Sequence, residues 1–163
     1  ADFLVMACNT AHAFERDVRA AVRVPFISIV AEACDACIRQ WPVACRVGVL
    51  AAQGCIDTGL YQNALGRRGI TSICLSADEQ NGFNSLLYDI KLGRPVSETR
   101  PRMAALAQKL VASGADVVIA ACTEVPLVLS QDDLAVPLLD ATQNLATRCV
   151  RYARGLEPLP SRS

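Results

Sequence analysis

The stretches ADFLVMACNT (1–10) and ADVVIAACTE (115–124) are built alike. Each begins Ala-Asp, runs through apolar residues, and reaches a cysteine seven positions after the alanine. A threonine follows within two residues, giving Cys8 with Thr10 and Cys122 with Thr123. A Val-Pro pair and a further apolar run come next: Val24-Pro25 lies 16 residues past Cys8, and Val136-Pro137 lies 14 past Cys122. Short continuous apolar runs bounded by polar and turn residues fit strands buried on both faces, which belong to parallel sheets covered by helices. The repetition predicts a duplicated half. The fold class that follows is α/β, two pseudo-symmetric parallel-sheet lobes with the active site in the cleft between them.

The rest of the chain supports this alternation. Strands are predicted at 2–7, 26–30, 46–52, 70–76, 115–122 and 136–140. Helices are predicted at 10–22, with Thr10 as a possible N-cap, at 31–40, from the Gln53-Gly54 turn through about Arg68, at 78–90, at 98–112 behind a Ser97 cap, and at 141–154. Gly69 and Gly114 are natural helix stops, and the tail 155–163 is expected to fray. Residues 1–41 form the remainder of a first lobe, 42–137 a second lobe, and 138–163 a strand end and helix returning to the first. The chain opens almost inside a strand without an initiator methionine. This start suggests a first lobe lacking roughly 60 to 70 residues, at the usual size of a βαβ unit.

Composition excludes several classes. With 52% apolar and 20% charged residues the chain is expected to build a core rather than to be disordered. Formal net charge is zero and no basic stripe alternates with aromatics, so no nucleic-acid partner is expected. No apolar run approaches the roughly 18 residues of a membrane span, and no basic flank marks a leader. Eight cysteines in so aliphatic a chain suit free thiols in the cytoplasm better than a disulfide scaffold. Cys34-Asp-Ala-Cys37 is formally a CxxC, but it falls inside a predicted helix with no second pair and no histidine nearby. Packed thiols are the better reading than a redox or metal site.

Ligands of open parallel sheets bind beyond the carboxyl ends of strands, and Cys8 and Cys122 both stand at such ends. Two like thiols facing each other across a cleft suit inversion of a stereocentre. One thiolate removes a proton from one face, the other thiol delivers a proton to the opposite face, and the roles exchange in reverse. Asn9, Thr10 and Thr123 are short polar side chains suited to holding a carboxylate or ammonium.

ACNTAH (7–12) and ACTEVPLVLS (121–130) resemble the paired motifs of the aspartate/glutamate racemase superfamily. The His12 and Glu124 positions, DTGLYQNAL (57–65) and YDIKLG (88–93) are similar to the aspartate racemase branch, which includes broad-specificity amino-acid racemases. The resemblance implies Cys8 and Cys122 as the two catalytic bases, with no cofactor and no metal. It places Asn9, Thr10, Thr58, Thr123 and Glu124 at substrate-pocket or supporting positions, and Lys91 at a lysine that contacts a side-chain carboxylate. Lys91 also reads as an ordinary loop lysine, and His12 as a supporting residue rather than a proton shuttle. Ala52 and Cys55 stand where relatives commonly have threonines. The implied reaction is racemisation of an acidic amino acid, aspartate first, by a homodimer. The alternatives are hydantoin racemase, maleate isomerase or decarboxylase chemistry in the same cleft, or a non-catalytic or vestigial binding protein, expected if the first lobe lacks its opening strands. Two retained cysteines speak against the decarboxylase.

Overall fold

Two parallel sheets form the frame of the chain, for which a computed structural model describes residues 1–160. In the smaller, β1 (Leu4–Val5) pairs with β2 (Phe26–Ile27), Leu4 opposite Phe26 and Val5 opposite Ile27. The larger holds β3 (Arg46–Leu50), β4 (Thr71–Ile73), β5 (Val117–Ala120) and β6 (Leu138–Asp140) in the order β4-β3-β5-β6. The helices are α1 (Glu15–Ala21), α2 (Ile29–Gln40), α3 (Gln53–Asp57), α4 (Leu60–Gly66), α5 (Ala77–Lys91), α6 (Val96–Ala112) and α7 (Ala141–Ala153).

The period of two along the central strands divides the core. Val47 and Val49 of β3, with Val117 and Ile119 of β5, pack with α2, α4 and α7 on one side. Leu50, Val118 and Ala120 pack with α5 and α6 on the other. Gly48 faces this second layer, where a Cβ would lie 3.0 Å from the Leu110 Cβ and 3.2 Å from the Ala115 Cβ. A side chain there would hold α6 off the sheet. The α2–α7 contact is fastened by Glu32, whose carboxylate accepts from Arg148 Nε at 2.7 Å and from the Tyr152 hydroxyl at 2.8 Å. The apolar cluster under α2 and α7 is continuous from Ile27 to Tyr152. This cluster draws residues from all three of the expected parts, and the division of the chain at 41/42 and 137/138 into lobes is our proposal.

Several boundaries differ from the sequence reading, each for a local reason. Residues 2–7 pair as a strand only at Leu4–Val5. The expected strand 26–30 stops at Ile27, because Ser28 caps α2 by accepting the Ala31 N–H and draws Ile29 and Val30 into the helix. Thr10 is not a helix cap: Thr10–Phe14 form a 3₁₀ turn whose N-cap, Asn9, makes no side-chain capping bond, and Phe14 holds the N-cap place of α1. The helix expected through Arg68 breaks at Gly59, whose φ of +64° separates α3 from α4. Ser97 lies inside α6, which follows Pro95 and starts at Val96. The tail is docked further than expected, since Glu157 pairs with Arg148 and Arg151 and Leu159 packs on the core. For residues 161–163 the expectation of fraying lies outside the described residues. No helix among the described residues is long and apolar enough to cross a membrane.

Candidate active site

The carboxyl ends of β3 and β5 create the first half of the site. Ala121 extends the ladder by donating its N–H to the Leu50 carbonyl at 2.9 Å, and Cys122 follows, half-buried. Its thiol lies 2.9 Å from Glu124 Oε2, an oxygen that also accepts the Thr123 hydroxyl at 3.0 Å. Lys91, at the end of α5, places Nζ 3.6 Å from the other carboxylate oxygen. Burial first, and then the hydrogen bond to Glu124, push the Cys122 thiol up to about 12. Burial acts against the Glu124 charge. Hydrogen bonds from Cys122, Thr123 and its own backbone N–H, with Lys91, outweigh it and hold the carboxyl below its usual range.

The second half is the loop after β1. Cys8 is exposed, three residues beyond Val5. His12 fixes its backbone: Nδ1 lies 2.8 Å from the Cys8 carbonyl, and Nε2 accepts the Ile29 N–H at 3.2 Å. That pair of bonds requires a neutral ring with its hydrogen on Nδ1, and burial lowers the affinity of His12 for a second proton. His12 is thus a brace between the Cys8 loop and α2. Asn9 is buried; its Oδ1 accepts the Tyr61 hydroxyl at 2.6 Å, while Nδ2 has no partner. The Thr10 methyl packs against Gly54, where a Cβ would come within 3.0 Å. This contact sets the Cys8 loop against the turn that follows β3.

Tyr61 supports the Cys8 half. It is wholly buried, and its hydroxyl belongs to the Asn9 contact. Burial, ahead of the neighbouring thiols, raises its pKa well above the ordinary tyrosine range, so it stays protonated and donates to Asn9. The turn after β3 has its own support. Gln80 Nε2 donates to the Ala51 carbonyl at 2.9 Å, and Asn84 Oδ1 accepts the Gln53 N–H at 3.2 Å. Beside it lies a cavity of about 320 Å³ lined by Gln53, Gly54, Asn84, Leu87, Tyr88 and Lys91, among others.

The predicted residues therefore fall into two groups, Cys122 with Thr123, Glu124 and Lys91, and Cys8 with Asn9 and Thr10. Thr58 joins neither. It is exposed at the end of α3, and its hydroxyl donates to the Gly54 carbonyl at 2.6 Å. Tyr61, Gln80 and Asn84 escaped the sequence reading. Tyr61 stood inside the noted DTGLYQNAL stretch, and the polar run of α5 resembles any solvated helix face. All eight cysteines are free, and Cys34 and Cys37 are buried in the core on α2, where burial pushes each thiol up to about 12. Among the described residues no three His, Cys, Asp or Glu side chains gather as a metal site would.

Comparison with known proteins matches residues 1–149 to the family described as Asp/Glu/Hydantoin racemase. The chain is similar to the broad specificity amino-acid racemase RacX of Bacillus subtilis (strain 168), at 29% identity over 150 residues, covering 91% of this chain and 63% of that protein. Among solved structures it is similar to a candidate Asp/Glu racemase of Yersinia pestis, with a TM-score of 0.84 and 27% identity over 94% of this chain and 67% of that one. It also shares its fold with an aspartate racemase homologue of Pyrococcus horikoshii OT3, at a TM-score of 0.81 and 21% identity, again covering 94% of this chain and 67% of the other. The chain thus spans about two thirds of the length of these relatives.

Proposed function

Because this chain belongs to the Asp/Glu/Hydantoin racemase family, we propose that it carries the two-cysteine machinery of a cofactor-independent amino-acid racemase whose substrate is an acidic amino acid, aspartate first. The observation that carries this reading is the construction of the two strand ends. Each places a cysteine beyond a parallel strand, and a different set of residues fixes each one: His12 and Asn9 for Cys8, Thr123 and Glu124 for Cys122.

The chemistry is a proton relay through carbon. The thiolate of Cys8 takes the α-hydrogen of the D-enantiomer as the Cα–H bond breaks, leaving its electron pair on a planar carbanion. The Cys122 thiol gives its proton to the opposite face and becomes the thiolate. Starting from the L-enantiomer the two exchange roles, which is why like groups are suited to both ends. Lys91, beside the cavity after β3, is the cation offered to the distal carboxylate. Asn9 contributes its unpartnered amide donor, Thr10 and Thr123 are the hydroxyl-bearing residues next to the two cysteines, and Thr58 has a supporting role through its bond to the Gly54 turn. A cytoplasmic homodimer belongs to the same proposal.

The test is incubation of single enantiomers of aspartate, glutamate and neutral amino acids with purified protein, without added cofactor, followed by chiral chromatography. Aspartate is expected to be converted towards the racemate, and EDTA is expected to leave the rate unchanged. No conversion of any amino acid, or a requirement for pyridoxal phosphate or a metal, contradicts the reading.

A further inference from the structure

The two cysteines are not equivalent in this fold, although the reaction treats them alike. Cys8 is exposed, and among the described residues no carboxylate is hydrogen-bonded to its sulfur. Cys122 is half-buried with its sulfur 2.9 Å from Glu124 Oε2. A carboxylate only accepts hydrogen bonds, so the hydrogen in that contact belongs to sulfur. The same oxygen already takes the Thr123 hydroxyl, and the other faces Lys91. Removing the thiol proton would leave a thiolate against a carboxylate with nothing between them. Lys91 and Tyr61 are the other titratable groups near Cys122. Lys91 is more than half exposed and sits on the far carboxylate oxygen, and Tyr61 is protonated and adds no charge. Lys91 offsets only part of the repulsion from that side, and Tyr61 offsets none.

We propose that Glu124 is a positioning residue that holds Cys122 as a protonated thiol in the resting protein, so that Cys122 begins as the acid and Cys8 begins as the base. This rests on the racemase reading above and adds an order to it. The resting protein is set for the enantiomer whose α-hydrogen faces Cys8. When Cys122 has given up its proton, its thiolate stands beside Glu124 in the less stable of the two arrangements. It regains a proton from water while Cys8 loses one to water, and the resting form returns. Glu124 then acts through Cys122, and contact with substrate is not needed for its role.

The measurement is the rate of iodoacetamide labelling at Cys8 and at Cys122, followed peptide by peptide at neutral pH by mass spectrometry. Cys8 is expected to label faster. Glu124→Gln keeps the shape and removes the charge, and should speed labelling of Cys122 by about tenfold or more, the factor that accompanies one unit of thiol acidity. The Cys8 rate should stay unchanged. Lys91→Met, which removes the nearest cation and leaves Glu124 in place, should slow Cys122, and it carries the test if Glu124→Gln fails to fold. Cys122 labelling that is unchanged or slower in folded Glu124→Gln, or unchanged or faster in Lys91→Met, overturns the proposal, as does equal labelling of both cysteines in the unaltered protein. The two readings fail separately. Accelerated Cys122 labelling in a protein that racemises nothing removes the racemase and keeps the thiol assignment, whereas racemisation with an indifferent Glu124→Gln does the reverse.

Discussion

Replacing either Cys8 or Cys122 by serine is expected to lower racemisation by about 10³- to 10⁴-fold, the upper range for losing a positioned acid or base. A serine hydroxyl ionises too weakly at neutral pH to take an α-hydrogen. The loss should be chemical rather than structural. Cys8 is exposed, and a serine at 122 still donates to the Glu124 oxygen that now receives the thiol. Thermal unfolding of both variants should match the parent within about 1 kcal/mol, because an exposed or isosteric replacement leaves the core intact. Each variant keeps one working base and should still exchange the α-hydrogen of one enantiomer with solvent, the D-form for Cys122→Ser and the L-form for Cys8→Ser. Full racemisation by either variant contradicts the two-base reading.

The largest effect on stability is expected at Tyr61. Tyr61→Ala removes a wholly buried ring from the layer beneath α2 and α4, and costs about 3–5 kcal/mol by the usual range for aromatic truncation in a core. For a chain of 163 residues this corresponds to a fall in melting temperature on the order of 10 °C. Tyr61→Phe isolates the hydroxyl. It leaves Asn9 Oδ1 buried without its 2.6 Å donor, next to an Nδ2 that already lacks a partner, and costs about 1–3 kcal/mol. Circular dichroism melts of the two variants measure both. A Tyr61→Ala loss below about 1 kcal/mol contradicts the central place given to this ring, because most core truncations exceed that figure.

How much of this was legible before the structure depends on the range of the interaction. The central strands were readable because VGVL and VVIA are buried on both faces, and a run of apolar residues is the direct trace of that burial. The end of FISIV was misread for the same reason, since only Phe26–Ile27 form a strand. An apolar run buried at the start of a helix looks like a buried strand, and Ser28 decides between them through a single cap. The two cysteines were readable because the strand-end pattern is local and occurs twice. Glu124 lies two residues from Cys122, so its place beside the thiol was within reach, though its hydrogen bond was not. Tyr61 meets Asn9 across 52 residues and Gln80 meets Ala51 across 29, and no local pattern announces such pairs.

In a two-base racemase, two groups on opposite faces of one carbon share the work. Incubating D-aspartate and L-aspartate separately with the protein in deuterium oxide, and analysing each enantiomer by mass spectrometry at low conversion, tests this directly. Two opposed cysteines predict deuterium at Cα of the newly formed enantiomer and almost none in the recovered starting enantiomer, from either direction. Equal deuterium in product and recovered substrate at the earliest times would mean that a single group serves both faces, and would contradict the pairing of Cys8 with Cys122.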